Sequence, residues 1–220
     1  MERSTQILRL EIDGRWSAED LGQALVSVSD LYNLRLFLEL LREDEREWES
    51  FYEELRHFPP FRHRCRKFFP YWRVLPWVPG FPGGLPPVLD EAQLSRLSQL
   101  LEPEERLEVR RISYASPGAA DLAGIGTVIG HIKDFILKLI ERWDSKRKCQ
   151  LDEERAALEN DRIRLENARS LVALARELGY SEAELRRLIL YVDGKQGTLV
   201  SLIQQRKLVG VSVPETTDQQ

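Results

Sequence analysis

Between Arg56 and Pro87 the chain reads RHFPPFRHRCRKFFPYWRVLPWVPGFPGGLPP, and no long helix or central strand can run through it. Eight of the eleven prolines lie there. Proline lacks the amide donor that a helix interior or an inner strand requires, and its ring clashes with the preceding helical turn. The expectation is therefore an irregular loop here, with the helix before it ending near residue 55. The same stretch holds eight of the nineteen aromatic residues and six Lys/Arg between Arg56 and Arg73, with no acid from Leu55 to Leu89. A loop of about 30 residues is uncommon in a compact domain unless it has a function, and so many rings argue against permanent disorder. The expectation is an insert ordered by docking its rings, with Arg62, Arg64, Arg66, Lys67, Phe68, Phe69, Tyr71, Trp72, Arg73 and Trp77 as its contact surface.

Ahead of the insert, QILRLEID alternates. Leu8, Leu10 and Ile12 share one side, and Arg9 and Glu11 the other, which is the period of a strand in a sheet with one face covered and one wet. Asp13-Gly14 ends it. Ser17 and Asp20 then form a near capping box, opening a helix with Leu21, Leu25, Val28, Leu31, Tyr32, Leu34, Leu38 and Leu41 on one broad face. That helix runs on through an acidic stretch, Glu43 to Glu54, read as a solvated helix with an aromatic seam of Trp48, Phe51 and Tyr52, or alternatively as an acidic partner for the basic insert behind it.

Behind the insert, Asp90 is placed to cap a short helix that Pro103 ends. ERLEVRRISYAS reads as a second strand. Leu107 and Val109 fall in one phase and Ile112 and Tyr114 in the other, so a bulge is expected near Arg110–Arg111. The next stretch, SPGAADLAGIGTVIGHIKDFILKLIERW, admits three readings. Gly124, Gly126 and Gly130 make GxGxxxG, not the GxGxxG of a dinucleotide turn, and no Gly-Lys-Ser/Thr follows. His131, Lys133, Asp134 and Lys138 interrupt any membrane span. What remains is helical spacing: Ser116 caps, Pro117 takes the first turn, and Ile125, Ile129, Ile132, Phe135, Ile136 and Leu139 line one amphipathic face over 119–143. Its texture also suits a helix lying in a membrane interface.

Nothing stops this helix before Gly179. Leu151, Leu158, Leu165 and Val172 recur every seven residues, a single seam suited to self-association, while Glu154, Asp161 and Ala168 take the second heptad position. A rod from Ala119 to Leu178 would be about 90 Å long. Beyond Gly179, Ser181 and Glu184 form a capping box. A short helix, a turn at DGKQG, a second helix and an edge strand at VGVSVP follow, so the end is a helical hairpin with a polar tail at 214–220.

Chemistry is sparse. His57, His63 and Cys65, even with Cys149 or His131, match no zinc spacing. No GxSxG surrounds a serine, and paired carboxylates occur only within charge runs. No catalytic residue, metal ligand or cofactor is assigned, and an enzyme is not expected. Two distant cysteines and the absence of an apolar leader point to the cytoplasm, with recruitment to a membrane as an option. The net charge of −4 argues against a protein that coats nucleic acid. Cations interleaved with rings in the insert still suit single strands or anionic lipid.

The motif Ile112-Ser113-Tyr114 with Ser116-Pro117-Gly118, leading from strand to helix, resembles an uncharacterised group of bacterial proteins of conflict and death-signalling systems. In that group a small α+β sandwich, likened to the N-terminal domain of the animal death-receptor adaptor, precedes helical extensions. The likeness covers Ile7–Leu41 and Glu105–Ile140, and the insert departs from it. The resemblance implies an adaptor or effector and brings no catalytic residues.

The expected protein is thus an α+β domain over 1–143, its strands near 6–13 and 106–115 covered on one face by helices 17–55 and 117–143, with the insert at 56–89. A long helix and helical hairpin follow over 144–213. The expected function is a non-catalytic, self-assembling adaptor or scaffold, homo-oligomeric and with a protein partner. The alternatives are a membrane-acting effector, through helix 119–143 or the insert, and a binder of single-stranded nucleic acid.

Overall fold

A computed structural model describes residues 4–57, 89, 91–94, 96–113, 117–148 and 153–214, with backbone alone at 47–49, 51–57, 91, 144–148 and 153–160. The order is β1 (Thr5–Ile12), α1 (Ala18–His57), α2 (Glu91–Leu94), two 3-10 turns (Leu97–Gln99 and Pro103–Glu105), β2 (Glu108–Ser113), β3 (Gly118–Ile125), α3 (Gly126–Lys148), α4 (Glu153–Glu177), α5 (Glu182–Gln204) and β4 (Leu208–Ser212). The fold is α+β. Its strands form one antiparallel sheet in the order β2-β3-β1-β4.

Alternation along β1 is obeyed. Leu8, Leu10 and Ile12 are buried, while Arg9 and Glu11 lie on the other face. Ser17 and Asp20 close the box at the start of α1: Asp20 N donates to Ser17 Oγ at 3.0 Å and Ser17 N to Asp20 Oδ2 at 2.9 Å. In the middle of α1, Leu31, Tyr32, Leu34, Leu36, Phe37 and Leu38 are all buried, on every side of the helix. A helix apolar all round must be central, and α1 indeed contacts α3, α4 and α5. The edge strand expected near residue 210 is β4, beside β1. The expected bulge is found in β2, where the register with β3 slips between Val109 and Arg111.

Four expectations are corrected. Residues 118–125 form a strand and no helix. Ser-Pro reads as a helix start, and GAADLAG carries little β propensity. Yet Leu8 pairs with Leu122, Leu10 with Ala120 and Arg9 with Asp121, so tertiary pairing on both sides overrides propensity. Small residues suit the site, since a Cβ on Gly124 would lie 2.8 Å from the Tyr32 ring. Pro117-Gly118 of the I-S-Y-x-S-P-G motif thus leads into a strand, not a helix. The expected start of the amphipathic helix moves to Gly126, and Ile125 closes β3 opposite Thr5.

The rod is broken. α3 ends at Lys148 and α4 begins at Glu153, and α4 packs back on α3, α1 and α5. Ala168, Leu171, Leu174 and Ala175 are buried in the same cluster as Leu8 and Phe37, so the core crosses the expected division at 143/144. α4 stops in a C-terminal motif at Gly179 (φ 79°), with Tyr180 N bonded to Ala175 O and Gly179 N to Arg176 O. At the far end, DGKQG makes no turn and α5 runs unbroken through it, capped by Ser181 and Glu184. Val192, Gln196 and Leu199 hold that stretch in the core, Lys195 pairs with Asp30 at 2.6 Å, and Asp193 pairs with Arg164. Lastly, the helix expected after Asp90 is a four-residue α2 followed by a 3-10 turn.

Candidate functional site

The insert residues Arg62, Arg64, Arg66, Lys67, Phe68, Phe69, Tyr71, Trp72, Arg73 and Trp77 lie outside the described residues, as do His63, Cys65 and Cys149. So do Leu151 and the side chain of Leu158. Of the expected seam, Leu165 is half exposed and Val172 packs partly against the core. The two therefore do not form one outward stripe. The amphipathic face of α3 is fully engaged: Ile129, Ile132, Phe135, Ile136 and Leu139 are buried in the domain's own core. Among the described residues, no helix is long and apolar enough to cross a membrane, and no group of three or more His, Cys, Asp or Glu could hold a metal ion.

Two hollows remain. The first, about 190 Å³, lies where α1, α3 and α4 meet and is lined by Arg35, His131, Phe135, Ile163, Glu166 and Ser170 among others. Arg35 organises it. Its Nε donates to Glu39 Oε1 at 2.6 Å, its Nη1 to Ser170 Oγ at 3.0 Å, and its Nη2 faces His131 Nε2 at 3.1 Å. A guanidinium can only donate, so in this contact Nε2 is the acceptor, with Glu39 Oε1 3.9 Å from the same nitrogen. Burial, and then the charge of Arg35, hold the His131 pKa below its ordinary value. Arg35 bonds Ser170 and His131 through separate nitrogens. The arrangement is a clasp across three helices.

The second hollow, about 220 Å³, lies between α1 and β2, walled by Leu25, Val26, Ser29, Asp30, Leu107, Val109 and Leu122. The bulge brings Ile112, which lies outside the hollow's lining, to the same face as Val109. By alternation alone Val109 and Ile112 would point to opposite faces. With the extra residue, Val109 pairs with Leu122 and Ile112 with Ala120, and both fall on the α1 side of the sheet. Both are exposed, as is Val26 of α1: Val26 is 52% exposed, Val109 51% and Ile112 41%. On the opposite face of the sheet, Arg9 grips Asp121 through Nε at 2.7 Å and Nη2 at 3.0 Å. That hydrogen bonding lowers the Asp121 pKa, with Arg111 adding to it, and leaves that face polar.

Sequence reasoning located the bulge but not this rim. The signal was present in the phase change from Val109 to Ile112, and the missing information was which side chains the fold leaves exposed. Compared with protein-family models, with curated proteins and with solved structures, the chain has no significant match.

Proposed function

We propose that the chain is a non-catalytic, self-assembling interaction module, an adaptor or scaffold that works in the cytoplasm. The observation that supports it is a group of exposed apolar side chains: Val26 and Val109 line one hollow, and Ile112 lies on the same face of β2, an edge strand among the described residues. Single exposed apolar residues are ordinary on a surface, whereas a group of them around a concavity marks a contact. The resemblance carried by Ile112-Ser113-Tyr114 implies the adaptor role. The long-helix seam is set aside as the means of assembly, because α4 folds back on its own domain. A membrane role through α3 would require the core to open, since its apolar stripe is buried.

Light scattering over a dilution series tests the proposal. The expected result is a mass above that of one chain at high concentration, falling on dilution. A particle of single-chain mass at every concentration would remove self-assembly.

A further inference from the structure

Resting on that self-assembly, we propose that two copies of the chain join edge to edge through β2, antiparallel and centred on Val109, to make one continuous sheet. β2 is the outer strand of the sheet on the side away from β4, so among the described residues its outward backbone groups have no strand beside them. Edge strands are commonly blunted by charges and bulges, and β2 has both. Its charges, however, are self-complementary. Glu108-Val109-Arg110 read against itself in reverse gives Arg110-Val109-Glu108, so each Glu108 meets an Arg110 of the second copy. Within one chain the two already form an ion pair at 3.0 Å, with both side chains more than half exposed. Exchange across the two-fold axis replaces that local pair with two inter-chain ones.

Two neighbouring registers are disfavoured by the same charges. Centring on Arg110 sets Arg110 against itself, and centring between Arg110 and Arg111 sets the two arginines opposite each other. A shift to between Val109 and Arg110 also matches charges, Glu108 against Arg111, but sets each Val109 against an Arg110; Arg110→Glu separates the two registers, since it opposes like charges in the Val109 register alone. Directly opposed like charges destabilise a strand pair. In the Val109 register the two Val109 side chains meet on the α1 face, beside Ile112 and Val26 of each copy, and the rim becomes one shared apolar strip. The bulge at Arg110 limits the match to this short stretch, and the two-fold axis closes the assembly at two copies. A weak, concentration-dependent dimer is the consequence.

The test uses the full chain and two variants, Glu108→Arg and Arg110→Glu, both at exposed positions and checked for unchanged far-UV circular dichroism. Sedimentation should show each variant alone with its dimer dissociation constant raised about tenfold or more. An equimolar mixture should recover a heterodimer, because Arg-Val-Arg then faces Glu-Val-Glu. If the wild type associates but neither variant changes its dissociation constant, or the mixture fails to recover, the β2 interface is wrong while self-assembly stands. If the wild type never exceeds single-chain mass, both proposals fall.

Discussion

Single atoms decide several features of this fold. Tyr32 is buried, yet its hydroxyl is satisfied twice: it accepts from Ile125 N at 2.7 Å and donates to Glu105 O at 2.9 Å. Its ring lies where a side chain at residue 124 would begin. Gly124→Ala should therefore lower stability by about 1–3 kcal/mol, and a denaturant melt with no shift would show that the contact can relax. His131 supplies a second residue-scale prediction. Its folded-state pKa is below the ordinary 6.5, so the unfolded chain binds the proton more readily. The stabilisation is complete above about pH 6.5 and fades as pH falls below it. The wild type should lose more thermal stability than His131→Gln between about pH 7.5 and about pH 5. Parallel losses in the two proteins would sink the assignment.

At the scale of elements, the sequence was most readable where periodicity and capping agreed. The Leu8-Leu10-Ile12 alternation, the Ser17–Asp20 box and the Ser181–Glu184 box each placed an element correctly, because their signals are local. The failures share one physical cause. Gly118–Ile125 looks helical alone and becomes a strand only because β1 and β2 flank it. Gly194 and Gly197 look like a turn and remain helical because α5 is held by Asp30, Arg164 and the core. The exposed rim was illegible for the same reason, since no local pattern reports how far a helix overhangs a strand. At Gly194 a Cβ would meet nothing within 4 Å and the backbone is not left-handed. Gly194→Ala should thus stabilise the protein by about 0.5–1 kcal/mol, and a lowered melting temperature would argue that the helix needs its glycine there.

Across the whole molecule, residues distant in sequence are tied at the rim of the sheet. Lys207, in the turn before β4, donates to Asp20 Oδ2 at 2.6 Å, at the very start of α1. This bond, with that from Ser17, takes the Asp20 carboxyl down to about 2 from 3.8. A depressed carboxylate stabilises fully above its unfolded pKa and loses that contribution as pH falls through its folded one. Asp20→Asn should accordingly be less stable than the wild type at neutral pH and converge with it as pH drops from about 4 to about 2. A gap that stays constant through that range would contradict the linkage. The strand order carries a temporal consequence as well. β1 is made first and sits inside the sheet, yet both its partners come much later, β3 at Gly118 and β4 at Leu208. On the ribosome its greasy side must wait, shielded by α1 or a chaperone, until almost the last strand has emerged; folding is then bound to be late and slow relative to synthesis.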